Sequence, residues 1–226
     1  MKFAGIVKNS FVDFPGQIAT VVFTSGCNFN CWYCHNRELI PRSEGKIDES
    51  EVFEFLNSRK GMIDGVVVSG GEPTLHEEIY DFIKKIKNLG LKVKLDTNGT
   101  NPEVLEKLLG ENLLDYVAMD IKTSFSNYEK IVGKGNFNKD KISKSIDILL
   151  KGKVDYEFRT TFAPDIAISD IEEISQMIKG AKMYAIQKYN PPNLNVIKIP
   201  HSKSDFLEAQ SVSKRYLENV ILRSID

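Results

Sequence analysis

Three thiols lie within eight residues in the stretch TSGCNFNCWYCHN (Thr24–Asn36), and they are the only cysteines in the chain. The spacing C-x3-C-x2-C of Cys27, Cys31 and Cys34 admits three kinds of chemistry. A disulfide would leave one thiol over, and a reducing compartment would not keep the other two oxidised. A structural zinc needs four ligands closed tetrahedrally around it, often as two pairs on separate knuckles. His35 is the only neighbouring fourth donor, and directly after Cys34 it is awkward to aim at the same ion. A [4Fe–4S] cube normally takes four thiolates. Three would leave one iron without a protein ligand, which is a place for a small molecule to bind. The residues favour a cluster with an open iron and leave zinc as the alternative.

Chemistry of this kind needs elements that hold it, and a pattern recurs along the chain: a short β-rich run, a polar or glycine-containing turn, then an amphipathic stretch. Strands are predicted at ATVVFTS (Ala19–Ser25), GVVVSG (Gly65–Gly70), KVKLDT (Lys92–Thr97), YVAMDI (Tyr116–Ile121), YEFRTTF (Tyr156–Phe162) and KMYAIQKY (Lys182–Tyr189). Helices are predicted over about 49–59, 77–89, 102–109, 139–150, 169–178 and 204–217. Asp48 with Glu51 forms a capping pair, Gly90 a left-handed stop, and Asn101-Pro102 a cap with proline at the first helical position. Six β/α units in succession imply a parallel sheet with right-handed crossovers, as a curved partial barrel or an open doubly wound sheet. Both put chemistry at the carboxyl ends of the strands. The polar oddities stand there: the cysteines, Ser69-Gly70-Gly71-Glu72-Pro73, Asp96-Thr97-Asn98-Gly99, and Asp120 with Lys122.

The 226 residues are 42% hydrophobic and 27% charged, and suit one soluble domain, with its core over about 17–191 and a helical extension over about 203–226. Thirty basic against thirty-one acidic residues give a formal charge of −1, so no global field favours nucleic acid or an anionic membrane. No apolar run approaches the roughly 20 residues that span a bilayer, and the N-terminus lacks a secretory signature, which points to the cytoplasm.

C27-N-F-N-C31-W-Y-C34 resembles the C-x3-C-x-aromatic-C signature of the radical S-adenosylmethionine (SAM) superfamily. S69-G-G-E-P73 resembles that superfamily's GGE motif, and D96-T-N-G99 the third-strand segment of its glycyl-radical activating enzymes. S10-F-V-D-F-P-G16 and C34-H-N-R-E-L39 are similar to the activating proteins of anaerobic ribonucleoside-triphosphate reductase. The match runs from about Ser10 to Pro191. It implies a partial (β/α)6 barrel of parallel strands, a [4Fe–4S] cluster and SAM as cofactors, a glycyl radical enzyme as partner, and flavodoxin or ferredoxin as electron donor.

The resemblance also implies roles. Cys27, Cys31 and Cys34 would ligate three irons, with Tyr33 near the adenine. Gly70, Gly71 and Glu72 would meet the methionine end of SAM, the bare glycines letting backbone approach closely. Asp96, Thr97 and Asn98 would bind the ribose or carboxylate region, and Asp96 with Asp120 would hold a monovalent cation. Arg159 would pair with the SAM carboxylate, or else with Glu157 or a rim acid, since an unpaired buried charge is costly. Gln187 and Tyr189 would bound the adenine, or serve only the sheet. His76 and His201 are expected as surface or capping residues, and the lysine-rich tract Lys134–Lys144 as a solvated loop. Two other functions fit the residues: a small radical SAM enzyme acting on a metabolite or modified-base precursor, and a zinc-stabilised binding protein without turnover.

Overall fold

The computed structural model describes residues 1–43, 45–135, 137–191 and 198–224. They form two compact units, one of Met1–Asn28, Glu38–Thr97 and Asn101–Val117, the other of Phe29–Arg37, Asn98–Thr100 and Ala118–Asp226.

In the first unit β1 (Lys2–Phe3) pairs antiparallel with β4 (Ile47–Asp48). The main sheet runs β2 (Gly5–Ser10), β3 (Ala19–Thr24), β5 (Gly65–Gly70), β6 (Lys92–Thr97). β2 is antiparallel to β3, and the remaining pairs are parallel. Val66, Val67 and Val68 are fully buried, because a parallel strand covered on both faces reads as a continuous apolar run. Val67 faces Val21 and Val68 faces Val22, so the strands end level at Thr24 and Gly70. That register puts Cys27 and the glycine pair at one end of the unit's sheet.

Helices α1 (Glu49–Ser58), α2 (Ile79–Asn88) and α3 (Pro102–Gly110) accompany this sheet. The Asp48 amide donates to Glu51 Oε1 at 3.1 Å at the start of α1, and Gly90 takes φ +80° just beyond α2, both as the sequence predicts. α2 buries Ile79, Phe82, Ile83 and Ile86 on one face, a contribution of about 1.5–3 kcal/mol per side chain against exposure. Asn101 departs from its expected role. It precedes α3, yet its side-chain amide donates to the carbonyl and hydroxyl of Thr74, each at 3.0 Å, rather than capping the helix.

In the second unit the order runs from β7 (Tyr116–Asp120), which starts in the first unit's range, through β8 (Asp155–Phe162) and β9 (Tyr184–Lys188) to β10 (Val220–Arg223). β8, β9 and β10 are parallel. The helices are α4 (Tyr128–Val132), α5 (Lys139–Leu150), α6 (Ile168–Met177) and α7 (Lys203–Ser213). α5 occupies the second half of the lysine-rich tract, capped by Asn138, whose side chain accepts from the Lys141 amide at 3.1 Å. Asn136 in that tract lies outside the described residues.

The C-terminal expectation is corrected. The helix ends at Ser213 rather than near Leu217, and β10 follows where a helical extension was expected. No helix among the described residues is long and apolar enough to cross a membrane.

Candidate active site

The first unit holds Cys27, half-buried, just past the end of β3. Its amide donates to Ile40 O at 3.0 Å, and Gly26 N–H donates to Leu39 O at 2.8 Å, so the chain after the cysteines returns to brace their start. From β5 the Gly71 amide donates to Thr24 O and the Glu72 amide to Gly26 O, both at 2.9 Å. The two glycines are bare because of this approach. A Cβ on Gly71 would stand 2.2 Å from Gly26 O, and one on Gly70 2.3 Å from the backbone N and O of Thr24. Gly70 also has φ +121°, which side chains rarely adopt. The motif thus holds the residues before Cys27 in place, a reason for glycine that the sequence did not suggest.

Glu72 is fully buried, and its carboxylate accepts from Thr74 N at 3.1 Å, Thr74 Oγ1 at 2.5 Å and Thr97 Oγ1 at 2.8 Å. It ties the loop after β5 to the end of β6, so these contacts give Glu72 and Thr97 structural duties. Asp96 is held by Lys94 at 2.6 Å and by Ser69 Oγ at 3.1 Å. A cavity of about 200 Å³ is lined by Cys27, Asn28, Arg42 and His76, among others. Of the two roles expected for His76, surface or capping, the structure shows the second: it caps the short turn Pro73–Leu75 and is buried, with Nε2 2.8 Å from Ser25 O.

The second unit holds Cys31, buried, and Cys34, half-buried. The Cys34 amide donates to Cys31 O at 3.0 Å, closing a turn with a cysteine at each end, whose Cα atoms such a turn keeps within about 7 Å. Asn30 N–H donates to Val132 O at 2.8 Å and Trp32 N–H to Ile131 O at 3.4 Å, which lays the turn against the end of α4. Asn98 is buried, and its side-chain oxygen accepts from Thr100 N at 3.0 Å and Thr100 Oγ1 at 2.7 Å.

Asp120, at the end of β7, is bonded by Arg159 Nε at 2.8 Å and Lys122 Nζ at 3.0 Å. Of the partners foreseen for Arg159 it is a rim acid that takes Nε, while Glu157 pairs with Arg223 at 2.6 Å. Burial alone would raise the Asp120 carboxyl, but the two cations override it and hold it well below the ordinary carboxylate range. Burial likewise works against the Lys122 charge, yet Asp120, with Tyr33 and Cys31, holds the ammonium well above its ordinary range. Lys122 was passed over as a site residue. The signal was its offset of two from Asp120, which suggests the same strand face.

Burial pushes the Tyr33 phenol well above its usual value, Cys31 adding to the shift and Lys122 opposing it. Trp32 lies with its ring centre 5.6 Å from those of Tyr33 and Tyr189, and Lys198 Nζ sits 3.8 Å from the Trp32 ring centre. Tyr189 is buried and Gln187 half-buried. His201, expected as a surface or capping residue, is half-buried just before the α7 N-cap Ser202. It stacks on Phe162 at 3.7 Å, with Nε2 3.1 Å from Ala163 O.

Trp32 Nε1, Tyr33 Oη, Thr123 Oγ1 and Tyr189 Oη, all of the second unit, are buried with no hydrogen-bond partner among the described residues. Leaving a buried polar group unmade costs about 1–3 kcal/mol, and a polar ligand would satisfy them. The donor set fits a cluster: three thiols outside any disulfide, soft ligands that select iron–sulfur or zinc. Among the described residues no three His, Cys, Asp or Glu side chains gather around a point for one metal ion.

Comparison with known proteins agrees with these features. The radical SAM superfamily model matches residues 21–178. A Methanocaldococcus jannaschii protein provisionally named a glycyl-radical enzyme activating enzyme is 38% identical over 99% of this chain and 96% of its own length. The pyruvate formate-lyase-activating enzyme of Clostridium pasteurianum is 32% identical over 78% of this chain and 76% of its own. Among solved structures, Streptococcus suis SuiB bound to S-adenosylmethionine superposes with a TM-score of 0.69 at 16% identity, covering 89% of this chain and 49% of that one, a likeness of fold. With its α/β fold of parallel strands, this chain belongs to the radical SAM superfamily, among the glycyl-radical enzyme activating enzymes, which use a [4Fe–4S] cluster and SAM.

Proposed function

We propose that this chain cleaves SAM reductively and uses the resulting 5′-deoxyadenosyl radical to remove a hydrogen from the α-carbon of one glycine in anaerobic ribonucleoside-triphosphate reductase. The observation that carries the catalytic part is the pinned turn with Cys31 and Cys34 at its ends, which begins four residues after Cys27 in the chain. When bound, the cluster would supply the one electron, received from flavodoxin or ferredoxin, that reductive cleavage of a carbon–sulfur bond of the sulfonium requires. Cys27, Cys31 and Cys34 would hold three of its irons. The backbone at Gly70 and Gly71 would meet the methionine amino group. Tyr33, Gln187 and Tyr189 border the adenine, and Asp96, Asn98 and Asp120 address the ribose and carboxylate, the two aspartates also being the candidates of the sequence for a monovalent cation. Arg159 and Lys122 keep Asp120 ionised and add positive charge for the SAM carboxylate. The choice of reductase as partner is supported by S10-F-V-D-F-P-G16 and C34-H-N-R-E-L39.

The protein is reconstituted with iron and sulfide without oxygen, reduced, and given SAM. Formation of 5′-deoxyadenosine, lost in Cys31→Ala, is expected, and a glycyl doublet in electron paramagnetic resonance should appear once the reductase is added. Deoxyadenosine without a glycyl signal from the reductase would overturn the partner. Stoichiometric zinc with no cluster uptake would overturn the chemistry.

A further inference from the structure

Among the described residues the guanidinium of Arg37 makes three hydrogen bonds, and all three go to the cysteine turn. Nη1 donates to Cys31 O at 3.0 Å and to Trp32 O at 3.2 Å, and Nη2 donates to Asn30 Oδ1 at 3.1 Å. Cys31 O therefore receives two donors, Arg37 Nη1 and the Cys34 amide that closes the turn. The carbonyls on either side of the Cys31–Trp32 junction are aimed at one rigid fork. A peptide unit is planar, so fixing a carbonyl also fixes the N–H on its far side. We propose that Arg37 is a positioning residue: it holds the Cys31–Cys34 turn in its ligand-presenting shape before any cluster arrives. The proposal rests on the cluster reading for its purpose, but its geometry is that of the protein alone.

Charge and shape make different demands, and the exposure of Arg37 separates them. The side chain lies at the surface, where Coulomb attraction is screened by water. The planar fork is what remains, because it can meet two carbonyls and an amide oxygen at once. A lysine ammonium is a point charge on a flexible stem and cannot reproduce that pattern. Arg37→Lys should therefore behave like Arg37→Gln and unlike the native protein. Groups that orient metal ligands from outside typically govern metal affinity by 10- to 100-fold.

Two measurements decide it. In cluster-free protein, native-state hydrogen exchange of the Trp32 and Cys34 amides should be about tenfold faster in both Arg37→Lys and Arg37→Gln, with β5 amides unchanged, since exchange reports local opening. In reconstituted protein, iron release to a chelator should be about 10- to 100-fold faster in both variants. Asn30→Ala, which removes only the Nη2 partner, should shift both readouts the same way by a few-fold, and it serves should the Arg37 variants fail to fold. Native exchange and release rates in the variants, or full rescue by Lys, would overturn the clamp. A wild-type protein that takes up no iron and sulfide would defeat the cluster reading instead, and the exchange measurement would still decide the role of Arg37.

Discussion

Asp120 shows how one carboxylate depends on its neighbours. Arg159 and Lys122 hold its folded-state pKa below the unfolded value of about 3.9, so its contribution to stability is present above about pH 4 and is lost as pH falls. Lys122 works in the opposite sense: its raised pKa gives stability that is full below about pH 10 and is lost as pH rises through the folded value. Both contributions are complete at neutral pH. Asp120→Asn should therefore cost about 2 kcal/mol at pH 7, in line with charge-assisted hydrogen bonds. In urea unfolding of cluster-free protein, the gap to the native chain should narrow steadily from pH 5 to pH 2; a gap that stays constant would show that the carboxylate charge is not what matters. Lys94 offers a harsher case. It is 2% exposed and paired with Asp96 at 2.6 Å, and breaking a buried pair from one side costs about 3–5 kcal/mol. Lys94→Met should lower the urea midpoint accordingly, and adding Asp96→Asn should recover part of the loss.

At the scale of elements, the end of β5 works as a brace for the start of the cysteine segment. Gly71→Ala would force a methyl to within 2.2 Å of Gly26 O, and both partners are backbone, so neither can swing aside. The expected result is a loss of about 2–3 kcal/mol, typical of overpacking, with weaker cluster retention because Cys27 follows Gly26 directly; an unaltered iron-release rate would sever that link. This brace was only half legible beforehand. GVVVSG and KVKLDT declared their strands through apolar runs bounded by turn residues, and the structure places both over those same residues. β2, an antiparallel edge, carries the weakly alternating GIVKNS and went unseen. β10 has four residues and α4 five, too short for periodicity to register. The cysteines were legible because their type is rare and their spacing tight. Arg37 was not, since nothing in its type or position says that the guanidinium folds back onto the turn. Glu72 stood in a legible motif, but its partners Thr74 and Thr97 become evident only when β5 and β6 are laid side by side.

For the whole molecule, SAM and the cluster should act as linked stabilisers. A ligand that binds only the folded chain at 100 times its dissociation constant adds about 2.7 kcal/mol of stability. In a chain of this length each kcal/mol moves the melting temperature by about 2–4 °C, so saturating SAM should raise it by roughly 5–10 °C. If SAM is held through an iron that the three cysteines leave open, most of that gain should disappear when the cluster is stripped, because the contacts proposed for the side chains and the glycine backbone would then have to hold the ligand without its main anchor. The formal charge of −1 gives no long-range attraction to compensate. Anaerobic thermal unfolding with and without SAM can be run on three forms: cluster-loaded, chelator-stripped, and Cys31→Ala. The loaded form alone should show the full shift, with the other two rising by no more than about 2 °C. An equal shift in all three would mean that the protein side chains suffice to hold SAM, and that three cysteines, rather than four, are not there to leave a coordination place for it.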